Sequence, residues 1–492
     1  MAQLTIIRDG QSHEFKFQAP LPLDAALERA GFSIPRPCGS RGICGKCAVE
    51  LTGNVSAPNS AERNAGSRLS CQAILLGDAQ VTLPSSKQAE QIAVSGIELP
   101  ITLNPMSGLL GAAVDIGTTT LALKLYELAT GRLLADAAML NPQTGIAADV
   151  MGRISAALNG QQLKLQQQVT DAIETLLHTA CEKANVPTDQ VDQLVLTGNT
   201  TMLYLLTQRN PDCLSHAPFQ ADTLFGGRET ILDRAAYLPP CMNAFVGADI
   251  TCAVLASGMT SSPATALLCD IGTNGEIALW KDGTLYVTST AAGPAFEGAG
   301  ISCGCGSIAG AIDKVWVDSS EICAHTIGDV PAVGICGSGL IDAVAAYLKT
   351  ELVDETGAAD EDELPLRDGV VLVPRDIRAV QLAKAAIAAG IQTLTESANA
   401  TYDEIQTLYI AGGFGSHLNV ASAAAIGLIP HELADRVKVI GNASLSGSVQ
   451  LLLNKDSITA AETIANHAVH LNLGGNPSFN EHYMEQMFFP EP

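Results

Sequence analysis

Four cysteines stand at the spacing Cys38-x5-Cys44-x2-Cys47-x23-Cys71. Three thiols on one tight loop and a fourth further along can converge on a single small inorganic core, which is how a [2Fe–2S] cluster is ligated. The loop Pro37-Cys-Gly-Ser-Arg-Gly-Ile-Cys-Gly-Lys-Cys47 carries glycines at 39, 42 and 45. A backbone wrapped that closely often needs φ > 0, and its bare N–H groups can bond to sulfur. Two other chemistries compete. A structural zinc site prefers paired C-x2-C arrangements, and a disulfide framework needs an oxidising compartment. The loop charges Arg41 and Lys46 are either solvated or a guide for a docking partner.

A second chemistry is written twice. Asp115-Ile-Gly-Thr-Thr-Thr120 and Asp270-Ile-Gly-Thr-Asn-Gly275 lie 155 residues apart, Asp115 to Asp270. In each, Gly117, Thr118, Thr119 and Thr120, or Gly272, Thr273, Asn274 and Gly275, offer N–H groups and hydroxyls in a concavity suited to phosphate oxygens. The preceding aspartate would repel phosphate unless a divalent cation stood between, so Asp115 and Asp270 imply Mg2+. Gly412-Gly413-Phe414-Gly415 supplies a flat backbone shelf for a base. The plain alternative is a pair of glycine hairpins. No G-x-x-x-x-G-K-[ST] loop is present, which excludes a P-loop ATPase.

Further candidates are weighed more evenly. Glu297 and Asp342 could orient water or metal, or be exposed or capping carboxylates. Asp249, read as following a buried FVGA strand, is a base or a cap. Cys303, Cys305 and Cys336 read as small buried residues beside glycine turns rather than a second redox centre. His216 and His417 lack metal-ligand spacing and read as structural.

Stepping outward, LTIIRDGQSHEFKF alternates about Asp9-Gly10 as a hairpin does, and residues 22–30 read as a short amphipathic helix delivering the chain to the cysteine loop. AVELTG after Cys47 and AQVTLP at 79–84 are strands. Residues 86–108 read as a linker with a strand in its second half. Each Asp-Gly-Thr turn joins a buried strand to a returning strand, and a duplication at that period predicts two related lobes, 109–260 and 261–492, after a domain at 1–85. LVLTGN199, LYIAGGFG415 and VKVIGN442 are further strand-to-glycine turns. QLKLQQQVTDAIETLLHTACEKA, DIRAVQLAKAAIAAGIQTL and ASLSGSVQLLL carry helical spacing.

The chain of 492 residues is too long for one core, and it is 47% hydrophobic but only 4% aromatic, which suits α/β layers of Ala, Val, Ile and Leu. With 51 acidic against 27 basic residues its formal charge is -24, which disfavours nucleic acid and anionic membrane. No apolar run reaches 18 residues, and the N-terminal stretch has no signal-peptide core. Thirteen cysteines then point to a reducing cytoplasm, the nine outside the cluster pattern being small buried hydrophobes.

The cysteine spacing resembles the bacterial and adrenodoxin-type ferredoxins, which implies a β-grasp fold over residues 1–85. The order DIGTTT, DIGTNGEI, AGGFG, GNASLSGS resembles the acetate and sugar kinase/Hsp70/actin superfamily, which implies a duplicated RNase H-like ATPase binding ATP and Mg2+. With NPQTGIAADVMGRI, LTGNTTM, FVGAD, AAGPAFEGAGISCG and GICGSGLIDAV, nearly the whole chain resembles the reductive activators of corrinoid enzymes. That resemblance implies ATP-driven transfer of one electron from the cluster to an inactive Co(II) corrinoid protein, restoring Co(I), in a methyltransferase system. It also implies an upstream low-potential electron donor and leaves a homodimer open. Some members carry a middle domain between ferredoxin and ATPase, for which the linker leaves no room. Three rival readings stay open: an ATP-driven donor to a radical enzyme, a small-molecule kinase with a regulatory ferredoxin, and a scaffold that nucleotide only stabilises.

Overall fold

The computed structural model describes every residue except 9, 33, 35–39, 41, 43–46, 66, 85–93, 414–417 and 492. Strand β1 (Ala2–Arg8) pairs antiparallel with β2 (Gln11–Phe17), Arg8 opposite Gln11, as the Asp-Gly turn predicts. β3 (Leu21–Pro22) leads into α1 (Leu23–Arg29), which buries Leu23, Ala26 and Leu27 at the spacing of one apolar face. β4 (Ala48–Val55), α2 (Ser60–Ala65), β5 (Arg68–Leu69) and β6 (Ile74–Thr82) complete a mixed sheet ordered β2-β1-β6-β4-β5, with β1 and β6 parallel. Leu4, Ile6, Leu23, Leu27, Leu75 and Val81 form its core, and Cys47 enters that core from the start of β4. α2 was not foreseen. Asn59 and Glu62 cap it reciprocally, each side chain accepting the other's backbone N–H at 3.0 Å.

Two larger sheets follow. The first contains β7 (Leu110–Ile116), β8 (Thr120–Glu127), β9 (Arg132–Leu140), β10 (Val191–Gly198), β11 (Gly227–Ile231) and β12 (Arg234–Leu238), ordered β11-β12-β10-β7-β8-β9. β13 (Ala266–Ile271), β14 (Gly275–Lys281) and β15 (Thr284–Thr290) open the second. A small sheet of β16 (Ala311–Asp318), β17 (Glu321–Thr326) and β18 (Gly334–Ile335) and a short pair, β19 (Leu364–Pro365) and β20 (Val371–Leu372), intervene. β21 (Thr407–Ala411), β22 (Val437–Gly441) and β23 (Val469–His470) finish the second sheet as β22-β21-β13-β14-β15-β23. The runs β9-β8-β7-β10-β12 and β15-β14-β13-β21-β22 match in order and direction: three antiparallel strands, then two added in parallel. The duplicated RNase H-like architecture is therefore present.

Among the described residues, the helices beyond α2 are α3 (Val150–Ala156), α4 (Gln162–Ala184), α5 (Thr200–Leu206), α6 (Ala248–Ser257), α7 (Gly337–Lys349), α8 (Pro374–Ser397), α9 (Val420–Ala425), α10 (Ala443–Leu453), α11 (Ser457–His467) and α12 (Pro477–Glu485). α4 and α5 cover one face of the first sheet, while α7 and α8 cover one face of the second. The opposite faces share a core with α6, α10 and α11, which puts Ala113 and Val195 of the first sheet in the same cluster as Leu268 and Ala278 of the second. α6 and α10 cross so closely that a Cβ at Gly447 would fall 2.0 Å from the Cys252 carbonyl oxygen. Only glycine fits there.

Three expectations need correction. The later half of the linker forms no strand among the described residues. It lies along the second lobe through single bridges, Gly96 to Gly441 at the end of β22 and Asn104 to Asn454 after α10. Its N–H groups meet carbonyls there: Ile97 N–H donates to Ile440 O at 3.0 Å and Asn104 N–H to Leu453 O at 2.9 Å. FVGA is not a strand either: the Asn243 side chain accepts from Phe245 and Val246 N–H and curls the segment, so Asp249 lies in the first turn of α6. Of the nine remaining cysteines, Cys181, Cys241, Cys252, Cys269 and Cys336 are buried, but Cys213, Cys303, Cys305 and Cys323 are half-exposed.

Candidate functional site

The two Gly-Thr turns have the same local geometry. Gly117 N–H donates to Thr120 O at 3.1 Å, and Gly272 N–H to Asn274 O at 3.0 Å, so each strand doubles back within a few residues. The first turn is braced from below. Asn141 donates to Gly117 O at 2.9 Å, and its backbone N–H donates to Thr119 O at 2.8 Å. Arg153, fully buried, donates to the carbonyl of Thr118, to Ala147 O at 3.0 Å and to Gln143 Oε1 at 3.1 Å. Burial pulls its guanidinium down to about 9, opposed by Asp149 and Glu297. Asn199, the residue after β10, donates to Thr118 Oγ1 at 3.0 Å while its carbonyl oxygen caps α5 at Met202 N–H.

Asn442 stands at the equivalent place after β22. It caps α10 at Leu445 N–H and donates to Asp115 Oδ2 at 2.9 Å, beside Ser444 Oγ, which donates to Oδ1 at 3.0 Å. At the second turn, Gly293 N–H donates to Thr273 O at 2.9 Å. Gly412, at φ +93°, passes so near Asp270 that a Cβ there would meet its Oδ1 at 2.6 Å. Gly275 is likewise hemmed in, by the hydroxyl of Thr290. Thr119 Oγ1 donates to Glu297 Oε2 at 2.9 Å, and Thr273 Oγ1 to Glu297 Oε1 at 2.7 Å, so one carboxylate receives a hydroxyl from each turn.

Four carboxylates belong to this region, Asp115, Asp249 and Asp270 half-buried and Glu276 buried. Burial pushes Asp115 up, against the hydrogen bonds from Asn442 and Ser444. Burial and then the charges of Asp115 and Asp270 push Asp249 up to about 8, and burial and then Asp115 push Asp270 up to about 7. Glu276 is raised well above its usual range, by burial and then by Asp249 and Asp270, while the Asn274 side chain opposes the shift. Mutual repulsion of this kind is what a cation relieves. No group of three or more His, Cys, Asp or Glu among the described residues could hold a metal by itself, so a divalent ion here would need phosphate oxygens and water as well.

At the cysteine loop, Cys47 Sγ donates to Cys71 Sγ at 3.2 Å. That bond brings the Cys71 thiol down to about 6 and pushes the Cys47 thiol up, as expected of two thiols sharing one proton. Gly42, at φ +72°, has no room for a side chain: a Cβ would meet Gln72 Cδ at 2.9 Å and Ala61 Cβ at 3.0 Å. A glycine at positive φ beside adjoining thiols fits a thiolate-ligated centre. Cys38 and Cys44 lie outside the described residues, as do Phe414, Gly415 and His417.

Comparison with known proteins decides the family. A model described as a 2Fe-2S iron-sulfur cluster binding domain matches residues 6–76, one for the RACo middle region matches 110–262, and one for the C-terminal domain of RACo, the ASKHA domain, matches 264–492. The corrinoid activation enzyme RamQ of Eubacterium limosum is 33% identical over 417 residues, covering 77% of this chain and 70% of that one. The chain belongs to the RACo family of corrinoid activators. The [Co(II) methylated amine-specific corrinoid protein] reductase of Methanosarcina barkeri is 25% identical over 421 residues, covering 77% of each chain. A solved reductive activator for a corrinoid, iron-sulfur protein superposes with a TM-score of 0.73 at 25% identity, covering 99% of this chain and 98% of that one.

In this RACo-family chain, the part that the family models call the middle region is the lobe built on the first sheet, so a middle region and a short linker coexist. Gly117 to Thr120, Gly272 to Gly275, Gly412, Gly413, Asp115 and Asp270 fall on adjoining strand ends and turns of the two sheets. Asp342 is not among them: on α7 it accepts from the Val315 N–H of β16 at 3.3 Å. Glu297 and Asp249 do join them. Asn141, Arg153, Asn199, Asn442 and Ser444 were not singled out, although the repeated strand-Gly-Asn pattern at 199 and 442 signalled two of them. No helix among the described residues is long and apolar enough to cross a membrane.

Proposed function

We propose that the chain is an ATP-dependent reductive activator that passes one electron to the Co(II) form of a corrinoid protein of a methyltransferase system, restoring Co(I). The observation that carries this reading is Glu297, which joins Thr119 of one Asp-Gly-Thr turn to Thr273 of the other in a chain that also brings Cys47 against Cys71. The relatives' activities suggest the target, a corrinoid protein, in one case its Co(II) form.

In this reading residues 1–85 form the ferredoxin domain, 86–108 the linker, 109–260 one ATPase lobe and 261–492 the other. Cys38, Cys44, Cys47 and Cys71 hold a [2Fe–2S] cluster, which supplies the single low-potential electron and is refilled by an upstream donor. The N–H groups and hydroxyls of Gly117–Thr120 and Gly272–Gly275 bind ATP phosphates from two sides. Asp115 and Asp270 hold Mg2+ through water and phosphate oxygen, which offsets the repulsion among the four carboxylates. Gly412–Gly415 carry the base. ATP can favour an uphill transfer only by binding one arrangement of the lobes or of the complex better than another. A reducing cytoplasm suits the thiols.

The test uses a purified corrinoid partner held as Co(II), a chemical reductant and the chain, with Co(I) followed by its absorption. Co(I) appears with ATP and not without it, and Asp115→Asn removes the difference. Co(I) formation indifferent to ATP sinks the coupling. A phosphorylated small-molecule product, with turnover indifferent to the corrinoid protein, would favour a kinase instead.

A further inference from the structure

We infer that Glu297 is a clasp between the two Gly-Thr turns and that nucleotide phosphate must displace it from both hydroxyls in order to bind. This rests on the ATP site proposed above and adds a residue that regulates it. Thr119 Oγ1 donates to Glu297 Oε2 at 2.9 Å and Thr273 Oγ1 to Oε1 at 2.7 Å. A hydroxyl has one proton to give, and a carboxylate and a phosphate oxygen are both acceptors. Each threonine can therefore serve Glu297 or a phosphate, but not both at once.

The carboxylate is held in place by its own backbone. Ala295 and Phe296 are buried, the short turn Ala295–Glu297 closes with Gly298 N–H on Ala295 O at 2.9 Å, and Gly298 rests on Cys305 so tightly that a Cβ would lie 2.5 Å from the Cys305 carbonyl oxygen. A Cβ added at Gly272 would stand 3.8 Å from Glu297 Oε1, so the carboxylate also lies over the backbone of the second turn. An arriving polyphosphate meets a like charge at the two donors it needs. Taking them releases the side chain that ties Thr119 to Thr273, which makes phosphate entry and freedom between the turns a single event. A fixed fraction of binding energy is thereby diverted from affinity into rearrangement.

The test is the affinity of the full chain for a nonhydrolysable ATP analogue with Mg2+, by calorimetry. Glu297→Gln keeps the shape, removes the charge and accepts at one oxygen only. It binds the analogue about tenfold more tightly than the wild type. Amide hydrogen exchange at residues 117–120 and 272–275, measured without nucleotide, rises in the same variant. Glu297→Asp, a methylene short of reaching both threonines, gives a smaller gain and stands in should the glutamine variant misfold. If the folded variants bind the analogue equally or more weakly, the clasp is wrong and Glu297 instead assists binding. If the wild type itself binds no nucleotide, the proposed function fails, and the clasp fails with it.

Discussion

Asn442 donates its side-chain amide to Asp115 Oδ2 at 2.9 Å, joining residues 327 positions apart. The same side chain caps α10 through Leu445 N–H at 2.8 Å, so the orientation of a strand-end carboxylate in one sheet is fixed by the start of a helix that follows the other sheet. The half-buried carboxylate, losing this donor, would keep Ser444, and its charged form would be disfavoured further. Asn442→Ala is expected to weaken Mg2+-ATP binding roughly tenfold or more, from a lost bond of ~1–3 kcal/mol. Calorimetric titration checks this, with the iron content of the same preparation unchanged.

Arg153 makes three hydrogen bonds to backbone and Gln143 around the first Gly-Thr turn while fully buried. Truncating it takes this donor from the Thr118 and Ala147 carbonyls and opens a cavity. Arg153→Ala should lower stability by ~3 kcal/mol, read as a fall in denaturant midpoint. Arg153→Lys should recover little of it, since an ammonium cannot reproduce the planar fork.

Cys71 is the far member of the thiol pair and stands just beyond β5. Cys71→Ser is expected to abolish the visible absorption of an anaerobically reconstituted chain and to cut its bound iron by at least half. Cys323→Ser, on the half-exposed strand β17, should leave both unchanged.

Asp249 gives a pH dependence whose sign can be worked out. Its carboxyl is raised to about 8, by burial and then by Asp115 and Asp270, whereas in an unfolded chain it titrates near ~4. Between those values the folded protein holds a proton that the unfolded chain has released. Stability from this group is therefore complete below about pH 4 and lost as pH rises to about 8. Without nucleotide, Asp249→Asn should melt closer to the wild type at pH 5 and above it by ~3 °C or more at pH 8.5. A difference in melting temperature that does not grow with pH would show that Asp249 is ionised throughout.

Much of this was legible locally. The duplicated Asp-Ile-Gly-Thr turn determined that two related lobes would form, because a buried strand, a glycine turn and a returning strand are specified locally, over 110–127 and again over 266–281. The same local periodicity placed α4 at Gln162–Ala184 and α10 at Ala443–Leu453. The cysteine spacing determined the class of metal site, since loop length limits which thiols can meet.

Other features exist only once the two sheets pack around α6, α10 and α11. Glu297 reaches Thr119 across 178 positions, and Asn442 reaches Asp115 from still further away. Asp249 acquires its raised pKa from burial in that packed core and then from the charges of Asp115 and Asp270, the first of them 134 positions away. Side-chain hydrogen bonds and charge repulsion act over a few ångströms, and no local pattern records which distant residues folding will bring that close. Hence the sequence alone determined the parts, and packing decided which carboxylate joins the turns and which, like Asp342, faces a backbone N–H of β16 instead.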